Sequence, residues 1–452
     1  MGQDEPVAVD EQTPPVTDPV SAAALRRYQA RMRPWRIAYA AAIVVVVAVA
    51  LVVVKIVIGS GEISHAHLTT VAKGPAAVAL QQPADPQTKR WSTSDDTAQG
   101  VPYFDGTVVT YSSHVVRGRN ALTGAPTWNY TRTDRTVCTA LQDNGVTVTV
   151  WRIHGDCGEM TAVDTNTGAR LWDRTLDENG YPVDGQPPIS VYDGQIMITM
   201  PTAIYMISTS GNNVQGSQGG DDVFMFDEQG CTINGAAMGS AGVLISQTCA
   251  HRQCSGAKFC GNGPQLLLRS LSAGYDNNSS TNNGNPDQIQ WNDIGSRLLP
   301  VSAGKVVAAM PAGGGTLDVM SVDDGKTLHQ VSVPSSGPAP NDPAGATVEA
   351  SDAQFFHLGR TTYAMRDGAS AFSWSADVPL PTLSQPNGET TDDAPSIDNA
   401  VITVPTSTGA AELDSATGKP RTSVTLDPVP TGPLYPFGTG FLTTGTSTMG
   451  FG

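Results

Sequence analysis

Six cysteines, Cys138, Cys157, Cys231, Cys249, Cys254 and Cys260, are the side chains of this sequence best suited to covalent or metal chemistry. All six follow a long apolar segment and none precedes it, and an even number on one side of such a segment reads as disulfides made in an oxidising compartment. Fifteen connectivities are open to six cysteines. The pairs Cys138–Cys157, Cys231–Cys249 and Cys254–Cys260 would close the shortest loops. The competing chemistry is a metal site at Cys249, Cys254 and Cys260, but spacings of five and six lack the paired CxxC geometry of structural zinc. His65 and His67 offer two ligands without a third. The acidic pairs in Gly220-Asp221-Asp222 and Thr391-Asp392-Asp393 are accounted for by solvated turns. No GxSxG nucleophile elbow occurs and the seven histidines are scattered. These residues therefore lead us to expect no catalytic constellation, no metal and no cofactor. Asn129-Tyr130-Thr131 and Asn278-Ser279-Ser280 match the glycosylation sequon, a pattern common by chance.

The elements that position these residues begin with the apolar segment. Ile37 to Val54 is a run of eighteen residues without a charge, and beyond Lys55 it continues through Ile56, Val57 and Ile58. That length spans a hydrocarbon core as a helix, with Lys55 snorkelling to the headgroups. Arg26, Arg27, Arg31, Arg33 and Arg36 crowd the preceding flank, so the positive-inside rule puts residues 1–36 in the cytoplasm and the bulk of the chain outside it. We therefore expect a disordered tail (1–36), an uncleaved transmembrane helix (37–58), a stalk or linker rich in Ala, Pro and Gln (59–88) and one large domain (89–452). The formal charge is −16. It falls almost wholly on the exported part, because the tail balances five Arg against five acids. Nucleic acid is excluded as a partner on that ground.

Beyond Lys89 the sequence becomes short β-branched and aromatic runs separated by Gly, Asp and Asn, among them Thr107–Tyr111, Val146–Trp151, Ala203–Ile207 and Gly242–Gln247. No amphipathic helix interrupts them, so the domain reads as all-β. A turn of apolar residue, polar residues, Gly and then an aromatic recurs. It occurs at Ala121-Leu122-Thr123-Gly124 leading to Trp128, and at Ala162-Val163-Asp164-Thr165-Asn166-Thr167-Gly168 leading to Trp172. Weaker copies end at Gly211, Gly325, Gly368 (leading to Trp374) and Gly418. The glycines at 124, 168 and 211 are 44 and 43 residues apart, as are those at 325 and 368 (43), which is the length of a four-stranded propeller blade. The stretch from Gly211 to Gly325 reads as a blade with an insertion. About 360 residues at this period give seven or eight blades, of which seven is expected, closed by pairing near Arg90-Trp91 with strands around Phe437–Thr443.

The turns resemble the quinoprotein-like propeller repeat, which implies a tryptophan docking each blade; Trp128, Trp172 and Trp374 occupy such positions. Enzymes with this repeat use a quinone and calcium, for which no ligand set is evident here. A wider resemblance rests on the Arg-flanked anchor and on four segments: His65-Ala66-His67-Leu68-Thr69-Thr70-Val71-Ala72-Lys73-Gly74-Pro75, Tyr130-Thr131-Arg132-Thr133-Asp134-Arg135-Thr136-Val137-Cys138, Gly230-Cys231-Thr232-Ile233-Asn234-Gly235-Ala236, and Lys258-Phe259-Cys260-Gly261-Asn262-Gly263. With Leu244-Ile245-Ser246-Gln247-Thr248-Cys249, these are similar to the mycobacterial and corynebacterial polar growth factor A family. The resemblance implies an inner-membrane, single-pass, periplasmic propeller that binds trehalose monomycolate. It also implies a partnership with the resistance-nodulation-division exporter of that glycolipid in envelope assembly. A scaffold that only recruits membrane partners, and a quinone-dependent oxidoreductase, are the other functions weighed.

Overall fold

The structure is a computed structural model that describes residues 65–100, 103–176, 183–211, 223–227, 231–250, 263–269, 288–292, 298–311, 315–333, 347–358, 361–384, 395–445 and 447–452. The tail, the apolar segment 37–58, Cys254, Cys260, Asn278 and both acidic pairs lie outside these residues. No helix among the described residues is long and apolar enough to cross a membrane. The chain divides into two units, the second running from Ala66 to Gly452, and every strand belongs to that second unit.

The described strands form seven hydrogen-bonded sheets, each built on consecutive antiparallel runs of about four strands, with short parallel additions at Gln99–Gly100 and Gln87–Thr88. Blade 1 is built on Thr107–Ser112, Val115–Asn120 and Pro126–Arg132, with Asp96–Thr97 and Tyr103–Phe104 both pairing to the inner side of the first of these. Blade 2 comprises Thr136–Asp143, Val146–Ile153, Asp156–Asp164 and Arg170–Thr175. Blades 3 to 7 follow the same order and begin at Ile189, Cys231, Leu298, Thr347 and Thr382. Two N-terminal strands complete the pattern: β1 (Ala66–Thr69) and β2 (Gln87–Thr93). Leu434–Phe437, Gly440–Thr443 and Thr448–Phe451 form three strands of an eighth sheet, and β2 pairs with the last of them as its fourth. The ladder between that sheet and blade 7 is two parallel pairs, Gln87↔Leu426 and Thr88↔Asp427, and the rest of the contact is apolar packing.

Buried clusters show that these sheets close into a ring. Val109, Trp128, Tyr130, Ala140 and Trp151 join blade 1 to blade 2; Leu141, Val150, Met160, Ile196 and Ile207 join blade 2 to blade 3. Comparable clusters follow at each later seam. Val108, Ala121, Phe437 and Leu442 return from the eighth sheet to the first. The described strands thus make an all-β ring of the propeller type, in which the eight-stranded sheet holds a seventh and an eighth run of four strands; the period allows seven or eight blades, of which seven is the expectation. A recurrent turn links the third strand of a blade to its fourth, and the eighth run, which takes its fourth strand from the N-terminus, has no such turn.

Each sheet is covered on both faces by its neighbours, so its strands are buried on both sides. The strand Val146–Ile153 shows the consequence, since Val148, Thr149 and Val150 are all buried. Some threonines on these covered faces pair with one another: Thr147 and Thr165 hydroxyls lie 2.9 Å apart, and Thr97 and Thr448 hydroxyls 2.7 Å apart.

From Ala66 the chain is packed on the ring, with β1 lying antiparallel on the outer edge of blade 1 from Ala66↔Arg132 to Thr69↔Asn129. A strap then crosses the ring. The Val71 N–H donates to Thr167 C=O at 3.0 Å, and the Gln81 N–H to Gly438 C=O at 2.8 Å. Val78 packs on the cluster that joins the eighth blade to the first. Gly106 makes room for the strap: its φ is +79°, and a Cβ there would lie 2.4 Å from the Ala76 carbonyl oxygen. The strap ends where Asp85 accepts the Thr425 N–H at 2.8 Å, and β2 follows.

Because β2 is the eighth blade's outer strand, removing residues 1–93 leaves the Thr448–Phe451 edge unpaired and the ring open. We expect this truncation to lose its cooperative thermal transition and to self-associate in size-exclusion chromatography, whereas a chain beginning at Ala66 keeps both the transition and the monomer peak.

Candidate functional site

Five tryptophans occupy equivalent places on outer strands, and each indole N–H donates to a backbone carbonyl in the third turn of the next blade. Trp128 reaches Thr165 O (2.7 Å), Trp172 reaches Thr209 O (2.8 Å), Trp291 reaches Gly325 O (2.8 Å) and Trp374 reaches Ser415 O (2.9 Å). Trp91, on β2, reaches Ala121 O at 2.9 Å and so seals the closing seam. The turn glycine is needed twice over at Gly168, where φ is +72° and a Cβ would sit 2.6 Å from the Trp128 ring. Trp128, Trp172 and Trp374 are readable from the repeat; Trp91 and Trp291 are not, because neither follows a recognisable turn glycine. His329 stands four residues after Gly325, where blades 1 and 2 carry tryptophan, and packs edge-on against Phe372 at 5.0 Å.

Ionisable groups also serve the seams. Arg132 is 2% exposed and meets Glu159 at 2.5 Å and Asp134 at 2.9 Å, while its guanidinium lies 5.9 Å from the Trp151 ring. Arg135 holds the other Glu159 oxygen at 2.9 Å, so the network spans the seam between blades 1 and 2. Asp95 accepts from Arg117 (2.8 Å) and Arg119 (2.7 Å). Burial pushes the Asp95 carboxyl up, but Arg119 and then Arg117 more than offset this and hold it below the usual carboxylate range. For Asp134, the hydrogen bond from Arg132 is the main cause of a lowered value.

At the ring's centre two contacts join sheets that are not neighbours. The Tyr192 hydroxyl of blade 3 donates to Glu349 Oε2 of blade 6 at 3.0 Å, and the Ser240 N–H of blade 4 reaches the same oxygen at 3.3 Å. Burial, followed by the Glu349 charge, raises the Tyr192 phenol well above its ordinary value, so it stays protonated as a donor. Beside it, the Gln354 amide donates to Ser302 Oγ at 2.5 Å, linking blade 6 to blade 5. These residues sit at or beside turns between first and second strands, at the end of the ring that the strap crosses. Nothing in the sequence pattern marks this cluster, because each residue belongs to a different repeat.

The disulfides lie at the opposite end. Cys138–Cys157 ties the first and third strands of blade 2, and Cys231–Cys249 ties the first two strands of blade 4, as the shortest-loop expectation has it. His67 lies on β1 opposite Thr131, Asn129 lies within the blade 1 sheet, and no group of three metal-capable side chains occurs among the described residues.

The seams and sheet order define a β-propeller. A family model described as outer membrane protein assembly factor BamB matches residues 59–217, about a third of the chain. The search of curated proteins finds no match. Among solved structures, the chain is similar to the computationally designed Ika8 protein at 10% identity and a TM-score of 0.48, covering 81% of this chain and 99% of that one. It is also similar to BamB from Moraxella catarrhalis (14%, TM-score 0.41, 85% and 99%) and to the C-terminal WD40 domain of Sif2 (10%, 0.40, 85% and 97%).

Two outcomes follow for this site. Trp128→Phe keeps most of the buried area but orphans Thr165 O, and should cost about 1–2 kcal/mol, against about 3–5 kcal/mol for Trp128→Ala, in denaturant unfolding. For Asp95 and Asp134 the folded pKa lies below the unfolded one, so their contribution is present above about pH 4 and is lost as pH falls through the folded value. Melting curves from pH 7 to 2 should show this acid loss in the native chain and a shallower one in Asp95→Asn.

Proposed function

We propose that this chain is a non-catalytic binding platform, held to a membrane outside the cytoplasm, that serves assembly of the cell envelope. The observation that carries this reading is the use to which its ion-paired and hydrogen-bonded polar side chains are put. Asp95, Arg132, Glu159, Tyr192 and Glu349 face one another and hold blades in register, leaving turn faces and strand edges as the surfaces available to partners. The match to an assembly-factor family over residues 59–217 supports a role in building an envelope. The apolar segment 37–58 and its arginine flank support a single inner-membrane span with the propeller on the periplasmic side.

The ligand and the partner are read from the quoted sequence segments alone. Their similarity to the polar growth factor A family points to trehalose monomycolate as ligand and to a resistance-nodulation-division exporter as membrane partner. The test is native mass spectrometry of the full chain, purified in mild detergent from a mycolate-containing host, followed by lipid extraction. Retention of a trehalose glycolipid is the expected result. An empty chain that co-purifies with the exporter reduces the function to scaffolding, and an empty chain with no membrane partner overturns the proposal.

A further inference from the structure

The ring is closed by a strand on the same N-terminal chain as the predicted membrane tether, and this creates a mechanical problem. β2 carries the pairs from Lys89↔Phe451 to Thr93↔Thr448 and the Trp91 indole that seals the last seam. Loss of β2 strips an edge of the eighth blade and unpins the first, which opens the ring. Any pull transmitted along the chain from residues before Ala66 arrives at β2 unless something upstream absorbs it.

We infer that β1 and the strap are a strain-relief clamp, which isolates the ring-closing strand from tension on the N-terminal chain. The contacts are arranged in series and on different blades. β1 is paired to blade 1 over Ala66–Thr69. Val71 is hydrogen-bonded to the third turn of blade 2 and Val78 is wedged at the seam of blades 8 and 1. Gln81 is held by blade 8 and Asp85 by blade 7. Only after these does the chain reach Gln87, which is 2% exposed and whose amide donates to Thr439 O at 2.7 Å.

Releasing β1 and the strap uncovers one strand edge and a few turns but breaks no seam tryptophan, so the ring survives it. The clamp can fail and re-form without unfolding the domain. A use for such a clamp rests on the membrane-anchored reading above; the clamp itself is testable without a membrane.

The experiment is force spectroscopy on the full chain in detergent, held by its N- and C-termini. The clamp predicts two events, the first releasing about 70 Å of contour, set by roughly 3.3–3.6 Å per residue over the segment from β1 to β2. A larger event, the opening of the ring, follows at its own force. Val78→Asp should lower the force of the first event and leave the second unchanged. Asp85→Ala, at an exposed position, should act in the same direction and serves if the first variant fails to fold. A single event releasing strap and closing strand together, or a first event that neither variant weakens, overturns the inference.

Discussion

A single donor, the tryptophan indole N–H, holds this architecture together at five seams by reaching a turn carbonyl on the neighbouring blade. A blade of four short strands has two apolar faces and cannot cover either by itself, so the contact between blades is the fold. The indole suits the seam because it fills the gap with a large apolar plate and satisfies a carbonyl that would otherwise be buried without a partner. The glycine on the opposite turn is a consequence of that plate as much as of backbone conformation.

Where the indole is missing, other groups take its place. His329 and Phe372 stack at the seam between blades 5 and 6. In blade 7 the equivalent position is the exposed Thr422, and that blade meets the next through the parallel contact with β2 and the cluster around Leu426, Leu434 and Phe451. Charged groups reinforce selected seams, and those pairs are strong because they are withdrawn from water together. Glu159 accepting from both Arg132 and Arg135 is the clearest case.

Much of this was legible in the sequence because it is local. The turn glycines at 124, 168, 211, 325, 368 and 418 all have positive φ, as their place between two outer strands requires. Trp128, Trp172 and Trp374 dock as the repeat implies, and two cysteine pairs close over short loops. What escaped has no local signature. The eighth run of strands is assembled from both ends of the domain, so no recurrent turn marks it. The strap lacks periodicity because it is neither strand nor helix, and its apolar contacts, such as Val78, are single. Tyr192 and Glu349 meet only because blades 3 and 6 face each other across a centre that no repeat describes.

Closure by an N-terminal strand also dictates an order of events during synthesis. The partner of Gln87 is Thr439, 352 residues later in the chain. At the usual synthesis rate of about 5–20 residues per second, β2 emerges tens of seconds before its ladder partner exists. Through that interval it is an uncovered β-strand, the kind of edge that recruits other chains. Lys89 and Arg90, both exposed on β2, put positive charge on that waiting strand and oppose its pairing with a second copy of itself. The last blade to be made is therefore the one whose arrival ends the protein's vulnerable period.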